Sequence, residues 1–183
     1  MPSNKDRLYV ALYARGGAAK MPDDEDKYHW ALLVGPKNEL SSSRGKRYHA
    51  KEKPSGTPGQ LVWEFEGRDT LMEASAMALV RVLVAKITNM DRLVSALQSV
   101  PVRGSEPQWN RVEWVKEALE ILQRDGKAVG TSVLGWHAVR DAAMQFVEKK
   151  AAEHRFDGRA EPGQFDISKV ATYDLLEGEE TIP

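Results

Sequence analysis

Two histidines are the first side chains in this sequence whose type and spacing can support chemistry. His29 opens an apolar run that continues to Gly35, and His49 lies in the next extended segment of the chain. Facing residues on neighbouring antiparallel strands lie about 5 Å apart, so two imidazoles on such strands can share one site and act as acid or base near neutral pH. The alternative is that each is a hydrogen-bonded core histidine and that their spacing is a coincidence.

An arginine at the start of a helix is the second unusual feature. Residues 109–115 read Trp-Asn-Arg-Val-Glu-Trp-Val, in which Asn110 is a good N-cap and Glu113 completes the spacing of a capping box. Arg111 then occupies the first helical position, where a cation opposes the helix dipole and costs roughly 0.3–1 kcal/mol when exposed. Because Arg111 precedes the apolar positions of the helix by three and four residues, its stem should point toward the sheet.

Such an arginine is expected to have an anionic partner. The partner is either a carboxylate, Glu64 or Glu66, or a bound ligand. The alternative is that the stem packs on Trp114 while the guanidinium reaches solvent. The residues that the sequence nominates for a site are, as catalytic groups, His29, His49 and Arg111, and as ligand-binding groups, Trp30, Trp109, Asn110 and Glu64.

The elements that must position these side chains change character along the chain. Alternating and β-branched segments predict strands at about 7–15, 28–35, 46–53, 61–66 and 79–87, with a helix as an alternative for 70–78. Helical spacing of apolar residues predicts helices at about 91–100, 110–125 and 134–154.

Strands followed by helices predict an α+β fold, with an antiparallel sheet of about five strands packed against three helices. Residues 1–183 are expected to form one domain, in which 155–183 is a tail that packs on the body.

Three short segments carry a resemblance to a known superfamily. His-Trp-Ala-Leu-Leu-Val-Gly at 29–35, Tyr-His-Ala at 48–50 and Asn-Arg-Val-Glu-Trp-Val at 110–115 resemble the lecithin:retinol acyltransferase-like branch of the NlpC/P60 papain-like superfamily. The chain also looks like a group of uncharacterised small fungal proteins in which the helix start commonly reads Trp-Asn-Cys. The resemblance implies a permuted papain-like fold with His29 as catalytic base, His49 as its orienting residue and Arg111 at the nucleophile position.

That departure limits the chemistry. In the superfamily, a helix N-terminus and an imidazole lower the pKa of a cysteine, whose thiolate attacks an acyl group. This chain has no cysteine, and a guanidinium is always protonated and cannot attack. The sequence therefore argues against cysteine-dependent hydrolase or acyltransferase activity.

Three functions are compatible with a site that has these histidines and Arg111 but no cysteine. The first is a pseudoenzyme that binds a small anionic ligand or a protein partner in the former active-site cleft. The second is a repurposed metabolic enzyme, an isomerase, cyclase or lyase, in which His29 is the acid or base and Arg111 stabilises an anion. The third is a structural or interaction protein that docks a partner through its acidic tail, residues 174–180.

The composition of the chain limits which classes of partner, cellular location and cofactor we expect. The net charge of −1 gives no general electrostatic reason to expect nucleic acid. No apolar run approaches the roughly 18 residues that a membrane span needs, and the polar segment 1–7 is not followed by the apolar stretch of a signal peptide, so we expect cytoplasmic residence. No metal or cofactor is expected from these motifs.

Overall fold

The structure, a computed structural model, describes residues 4–183; residues 1–3 of the polar N-terminal segment lie outside that range. Within the described residues, eight strands and three α-helices confirm the α+β prediction. The strands are β1 (Arg7–Tyr13), β2 (His29–Gly35), β3 (Arg44–Pro54), β4 (Leu61–Leu71), β5 (Ala78–Ile87), β6 (Val129–Ser132), β7 (Ala171–Asp174) and β8 (Glu179–Ile182). The helices are α1 (Met90–Gln98), α2 (Arg111–Asp125) and α3 (Trp136–Ala152), and a short 3₁₀ turn spans Glu25–Lys27. None of the helices in this part of the chain combines the length and apolar character needed to cross a bilayer.

The sheet is larger and more mixed than the sequence predicts. Its strand order is β4-β3-β2-β1-β5-β7-β8, and β6 pairs with β5 beyond the end of β7. All pairs are antiparallel except β5 with β7, so the expected antiparallel sheet of about five strands is corrected to a mixed sheet of eight among residues 4–183. A parallel pair needs a long crossover, and the chain between β5 and β7 supplies one that contains all three helices.

Strand alternation divides the sheet into two faces, and this division decides where each candidate residue lies. On β2, Trp30, Leu32 and Val34 pack into the main core beneath the helices, whereas Ala31 and Leu33 belong to a smaller cluster on the other face. We call the first the helix face and the second the open face. Successive side chains of a strand point to opposite faces, so His29 lies on the open face.

Helix α2 begins and ends as the sequence predicts. The Asn110 side chain accepts hydrogen bonds from the backbone N–H groups of Val112 (2.9 Å) and Glu113 (3.2 Å). Gly126 ends the helix with a φ of 64°, in the left-handed region that glycine adopts without strain. An N-cap of this kind stabilises a helix by about 1 kcal/mol, which fixes Arg111 at the first helical position.

The tail joins the sheet at the edge opposite β4. Strand β7 pairs with β5, and β8 pairs with β7. Lys150 of α3 is fully buried and binds Glu180 (2.6 Å) and Glu153 (2.8 Å). The acidic segment 174–180 is therefore partly neutralised within the fold.

Residues 70–78, for which a helix was an alternative, are the end of β4 and the turn that leads to β5.

Candidate functional site

One end of the sheet collects the candidate residues. Strand β1 ends and β2 begins there, since Tyr13 faces His29 in the register, and β3 ends beside the start of β4, since Lys53 faces Val62. The first residue of α2 reaches the same end, because the Arg111 guanidinium lies 5.1 Å from the centre of the Trp63 ring on β4. The fold thus brings together groups that are far apart in sequence.

A chain of hydrogen bonds connects three side chains on the open face. His29 Nε2 lies 2.6 Å from His49 Nδ1, and His49 Nε2 lies 3.0 Å from Glu66 Oε1. The second oxygen of Glu66 accepts a hydrogen bond from Lys51. We call these four residues the histidine chain. It satisfies the polar groups of His49, which is only 4% exposed.

The donor and acceptor of each hydrogen bond in the histidine chain can be assigned by starting from the Glu66 carboxylate. The Glu66 carboxylate can only accept, so His49 Nε2 carries the proton and donates to it. His49 Nδ1 is then an acceptor, and His29 Nε2 must donate to it. The remaining nitrogen, His29 Nδ1, therefore carries a lone pair, and it has no hydrogen-bond partner among residues 4–183.

The electrostatics of the chain keep both imidazoles neutral at pH 7. Burial, followed by the charges of His49 and Arg111, lowers the pKa of His29 from 6.5 to about 3. Burial also lowers the pKa of His49, although its bond to Glu66 acts in the opposite direction. Hydrogen bonds from His49 and Lys51 lower the pKa of Glu66 to about 2, so the carboxylate is ionised.

The expected pairing of Arg111 with a glutamate of β4 is not formed. Glu66 is bound to His49 and Lys51, and Glu64 is bound to Lys53 (2.5 Å) and lies 3.8 Å from Lys51. The reason is strand alternation. Trp63, on which Arg111 stacks, packs toward the helix face, so its neighbour Glu64 points to the open face.

Arg111 instead lines an open groove without a protein anion bound to it. Its Nε atom is buried and has no hydrogen-bond partner. Burial lowers the pKa of Arg111 from its ordinary value, and the charge of Arg15 lowers it further. The groove has a volume of about 1100 Å³ and runs between the loop 15–26, the ends of β3 and β4, and residues 104–113. We call it the arginine groove.

Aromatic side chains form part of the groove wall. Trp109 meets Trp63 edge to face, with ring centres 5.3 Å apart. Trp109 is 7% exposed, and its indole N–H is a second buried donor without a partner. Asn110 also lines the groove, while its side-chain oxygen is occupied by the helix N-terminus. Two of the buried donors that lack a partner among residues 4–183 thus belong to residues of one groove.

The structure separates the residues that the sequence grouped together. Trp109, Asn110 and Arg111 line the groove, whereas His29, His49 and Glu64 lie on the open face. Trp30 is fully buried in the core, where its indole N–H donates to the Glu25 carbonyl (2.7 Å) and its ring packs 5.5 Å from that of Trp136. Among residues 4–183, no group of three or more histidine and acidic side chains is placed to hold a metal ion.

Sequence reasoning did not name Arg15 and Trp63 of the arginine groove or Lys51 of the histidine chain. It named Glu66 only as a possible partner of Arg111, whereas Glu66 binds His49. The signal for Glu66 was present, because a two-residue period on adjacent strands puts His49 and Glu66 on one face once the register is known. Arg15 had no such signal, since it follows a strand and is placed by the loop after it.

The site and fold define an α+β protein with an open, arginine-lined groove at the start of a helix. Comparison with known families places it further: the model of a family of unknown function (DUF6914) matches residues 5–182, so the chain belongs to that family. No curated protein and no solved structure matches it.

Proposed function

We propose that this protein binds a small organic anion in the arginine groove and performs no thiol-dependent acyl transfer. The observation that carries the proposal is Arg111 itself. Its Nε is buried without a partner, it lies beside a second arginine, and neither candidate glutamate is bound to it. An arginine in this state favours binding of a carboxylate or phosphate, which a guanidinium holds with two hydrogen bonds.

The electrostatics of the groove favour an anion at one particular end. Arg111 and Arg15 repel each other, and the positive end of α2 adds to their potential. Asp26 is close by, but its carboxylate is occupied by the backbone N–H groups of Lys20 (2.9 Å) and Met21 (3.0 Å). An anion between the two arginines would relieve a repulsion that the protein leaves in place.

The shape and lining of the groove indicate the rest of the ligand. Trp63 and Trp109 offer aromatic surface next to the cationic end, where the charge of Glu52 also acts on Arg111, and Glu106 and Glu113 line the groove as well. Ligand pockets commonly measure about 300–1000 Å³, so a groove of about 1100 Å³ accommodates a whole metabolite or a short segment of a partner. A flat, mostly apolar molecule with one anionic group matches these surfaces best.

The proposal includes an evolutionary origin for the fold that contains the groove. We infer an NlpC/P60-like, lecithin:retinol acyltransferase-like fold in which an arginine replaced the cysteine and the cleft was kept for binding. Support comes from the helix that begins at Asn110 and from the hydrogen bond between His29 and His49, which matches the pairing that the resemblance implies. Against a retained active site stands strand alternation, which puts His29 on the open face and Arg111 on the helix face.

A second candidate is a repurposed isomerase, cyclase or lyase. It is favoured by one observation, the lone pair on His29 Nδ1, which has no partner among residues 4–183 and belongs to an imidazole that is neutral at pH 7. His29 would be the base, and Arg111 would stabilise the anion that forms. This function needs a substrate that reaches both faces at the end of the sheet, so binding alone is the simpler conclusion.

The test compares the small molecules retained by purified variants. Wild type, Arg111→Ala and Arg124→Ala are incubated with a metabolite extract, washed, and analysed by mass spectrometry. Arg124 is an exposed arginine in the last turn of the same helix and serves as the matched control. We expect at least one anionic molecule to be retained by wild type and Arg124→Ala, and its retention to fall at least tenfold in Arg111→Ala. Equal retention by all three, or retention by none, would contradict an Arg111 site.

The same preparations separate binding from catalysis. Retained molecules are incubated with wild type and with His29→Gln, and their conversion is followed over time. We expect no conversion by either protein. Conversion by wild type that is lost in His29→Gln would favour the repurposed enzyme instead.

A further inference from the structure

A small cavity on the open face has features that neither the arginine groove nor the histidine chain explains. It lies between β1, β2, β3 and β5 and the turn after β4, and its volume is about 30 Å³. A cavity of this size holds a water molecule or a single ion, but no organic ligand. Its lining includes Tyr13, Arg47 and Arg81.

Each of the two arginines that line this cavity has a buried nitrogen without a hydrogen-bond partner among residues 4–183. Arg81 is 3% exposed; its Nε donates to Thr172 (2.8 Å) and one terminal nitrogen binds Glu39 (2.8 Å), but Nη1 is buried without a partner. Arg47 Nε is also buried without a partner, and its guanidinium lies 5.0 Å from the centre of the Tyr13 ring. Leaving a buried charged donor unsatisfied costs more than leaving a neutral one, so an acceptor is expected between the two.

Among residues 4–183, the positive charge that Arg47 brings to the cavity lining has no carboxylate paired with it. Glu39 neutralises Arg81, but among residues 4–183 no carboxylate lies within ion-pair distance of Arg47, and Arg68 faces Arg47 in the register of β3 with β4. Glu73 lines the cavity, but its side chain is exposed. Burial raises the pKa of Tyr13, although the charge of Arg47, a hydrogen bond from Arg47 to the phenol and the charge of Arg81 oppose it, so the phenol stays protonated and supplies no negative charge.

We propose that this cavity binds one small inorganic anion of the halide class between Arg47 and Arg81. The anion would accept from the two unpartnered N–H groups and bridge β3 to β5 across the two strands between them. The site is independent of the proposed organic anion in the arginine groove, because it lies on the opposite face of the sheet and shares no lining residue with that groove.

The direct test is a crystal of the wild-type protein soaked in bromide and measured at the bromine absorption edge. We expect an anomalous peak within hydrogen-bonding distance of both Arg47 Nε and Arg81 Nη1. Peaks at the protein surface alone would mean an adventitious ion only, and a cavity without a peak would mean water only; either result overturns the proposal.

A solution test uses the thermal unfolding midpoint. Chloride replaces gluconate at constant ionic strength, since gluconate is too large for the cavity. We expect a saturable rise in the midpoint for wild type and for Arg44→Gln, an exposed arginine of the same strand that does not line the cavity, and loss of that rise in Arg47→Gln. An equal chloride response in Arg47→Gln would contradict the site. If that variant does not fold, the bromide measurement on wild type still decides the question.

Discussion

The histidine chain and the arginine groove lie at the same end of the sheet, but they differ in how their buried polar groups are hydrogen-bonded. In the histidine chain, both nitrogens of His49 and both oxygens of Glu66 have partners within the protein. In the groove, Arg111 Nε and the Trp109 indole N–H have none. A satisfied network contributes to stability by itself, whereas unpaired donors cost free energy and are typical of places where a ligand completes the site.

The two regions still influence each other. The charge of Arg111 contributes to the lowered pKa of His29, although the side chains belong to different faces of the sheet. We therefore make separate predictions for the two regions, and one prediction for the electrostatic coupling between Arg111 and His29.

The largest effect is expected when the histidine chain is broken at its centre. His49→Ala leaves Glu66 and His29 without their partners and opens a cavity in a buried position. We expect the free energy of unfolding to fall by about 2–4 kcal/mol, measured by urea denaturation at pH 7. His137→Ala, at an exposed position of α3, is the control and should change it by less than about 0.5 kcal/mol. Equal effects of the two substitutions would mean that the chain contributes nothing to stability.

The pH dependence of stability should come from the same chain. The pKa values of His29 and His49 are lower in the folded state than the ordinary 6.5, so the unfolded state binds more protons below that pH. The stability that the two neutral histidines contribute is then fully present above about pH 6.5 and is lost as the pH falls, and for His29 this loss continues to about pH 3. Glu66 adds a further loss only below its ordinary 4.5, as pH falls toward 2.

Between pH 6 and 5 we therefore expect a loss of about 1–2 kcal/mol, since each proton difference contributes about 1.4 kcal/mol per pH unit. Urea denaturation at several pH values measures the slope, and His29→Gln should reduce it. A slope unchanged by that substitution would show that His29 is not the group being titrated.

A cysteine in the groove tests the coupling between the regions. In Arg111→Cys, the start of α2 and the charge of Arg15 both favour the thiolate, so we expect a thiol pKa about one unit below the ordinary 8.5. The rate of alkylation by iodoacetamide against pH measures it, with Ser95→Cys at an exposed site of α1 as control.

Adding His29→Gln to Arg111→Cys should leave the thiol pKa unchanged, because the imidazole is on the other face. A rise toward the ordinary value would instead place His29 beside the thiol, and the separation of the two regions would be wrong.

The smallest effect is expected from removing the unpaired cation. Arg111→Gln loses the contact with Trp63 but also removes a cation from a helix N-terminus and its repulsion with Arg15. We expect a change in the free energy of unfolding of less than about 1 kcal/mol in either direction. Arg140→Gln is the matched comparison, because Arg140 binds the buried Glu25 (3.1 Å) and its loss should cost about 1–3 kcal/mol. A larger loss from Arg111→Gln than from Arg140→Gln would mean that Arg111 is chiefly structural.

The long elements of the fold could be predicted, and the short ones could not. Strands β1, β2 and β5 and helix α2 have enough residues for a period to be visible, and they lie within a few residues of their predicted positions. Strands β6, β7 and β8 have four residues each, which is too few to define a period. Strands β6 and β7 pair with the free edge of β5, and β8 pairs with β7; no local pattern encodes these pairings.

The candidate site was predictable in its parts but not in its grouping. The pairing of His29 with His49 and the position of Arg111 at the start of a helix were both visible in the sequence. The sequence offered Glu64 or Glu66 as one possible partner of Arg111, but Glu66 binds His49 and Lys51, because Glu66 and Arg111 lie on different faces of the sheet.

By itself, the sequence determined the alternation of the strands, the start of α2 at its asparagine cap, and the arginine rather than a cysteine at the first helical position, since each of these depends on residue type and local spacing. Only the tertiary structure decided which charges are paired. Strand register and the faces of the sheet bring together residues that are far apart in the chain, and they turn Glu64 and Glu66 away from Arg111 toward the lysines and the histidine of the open face.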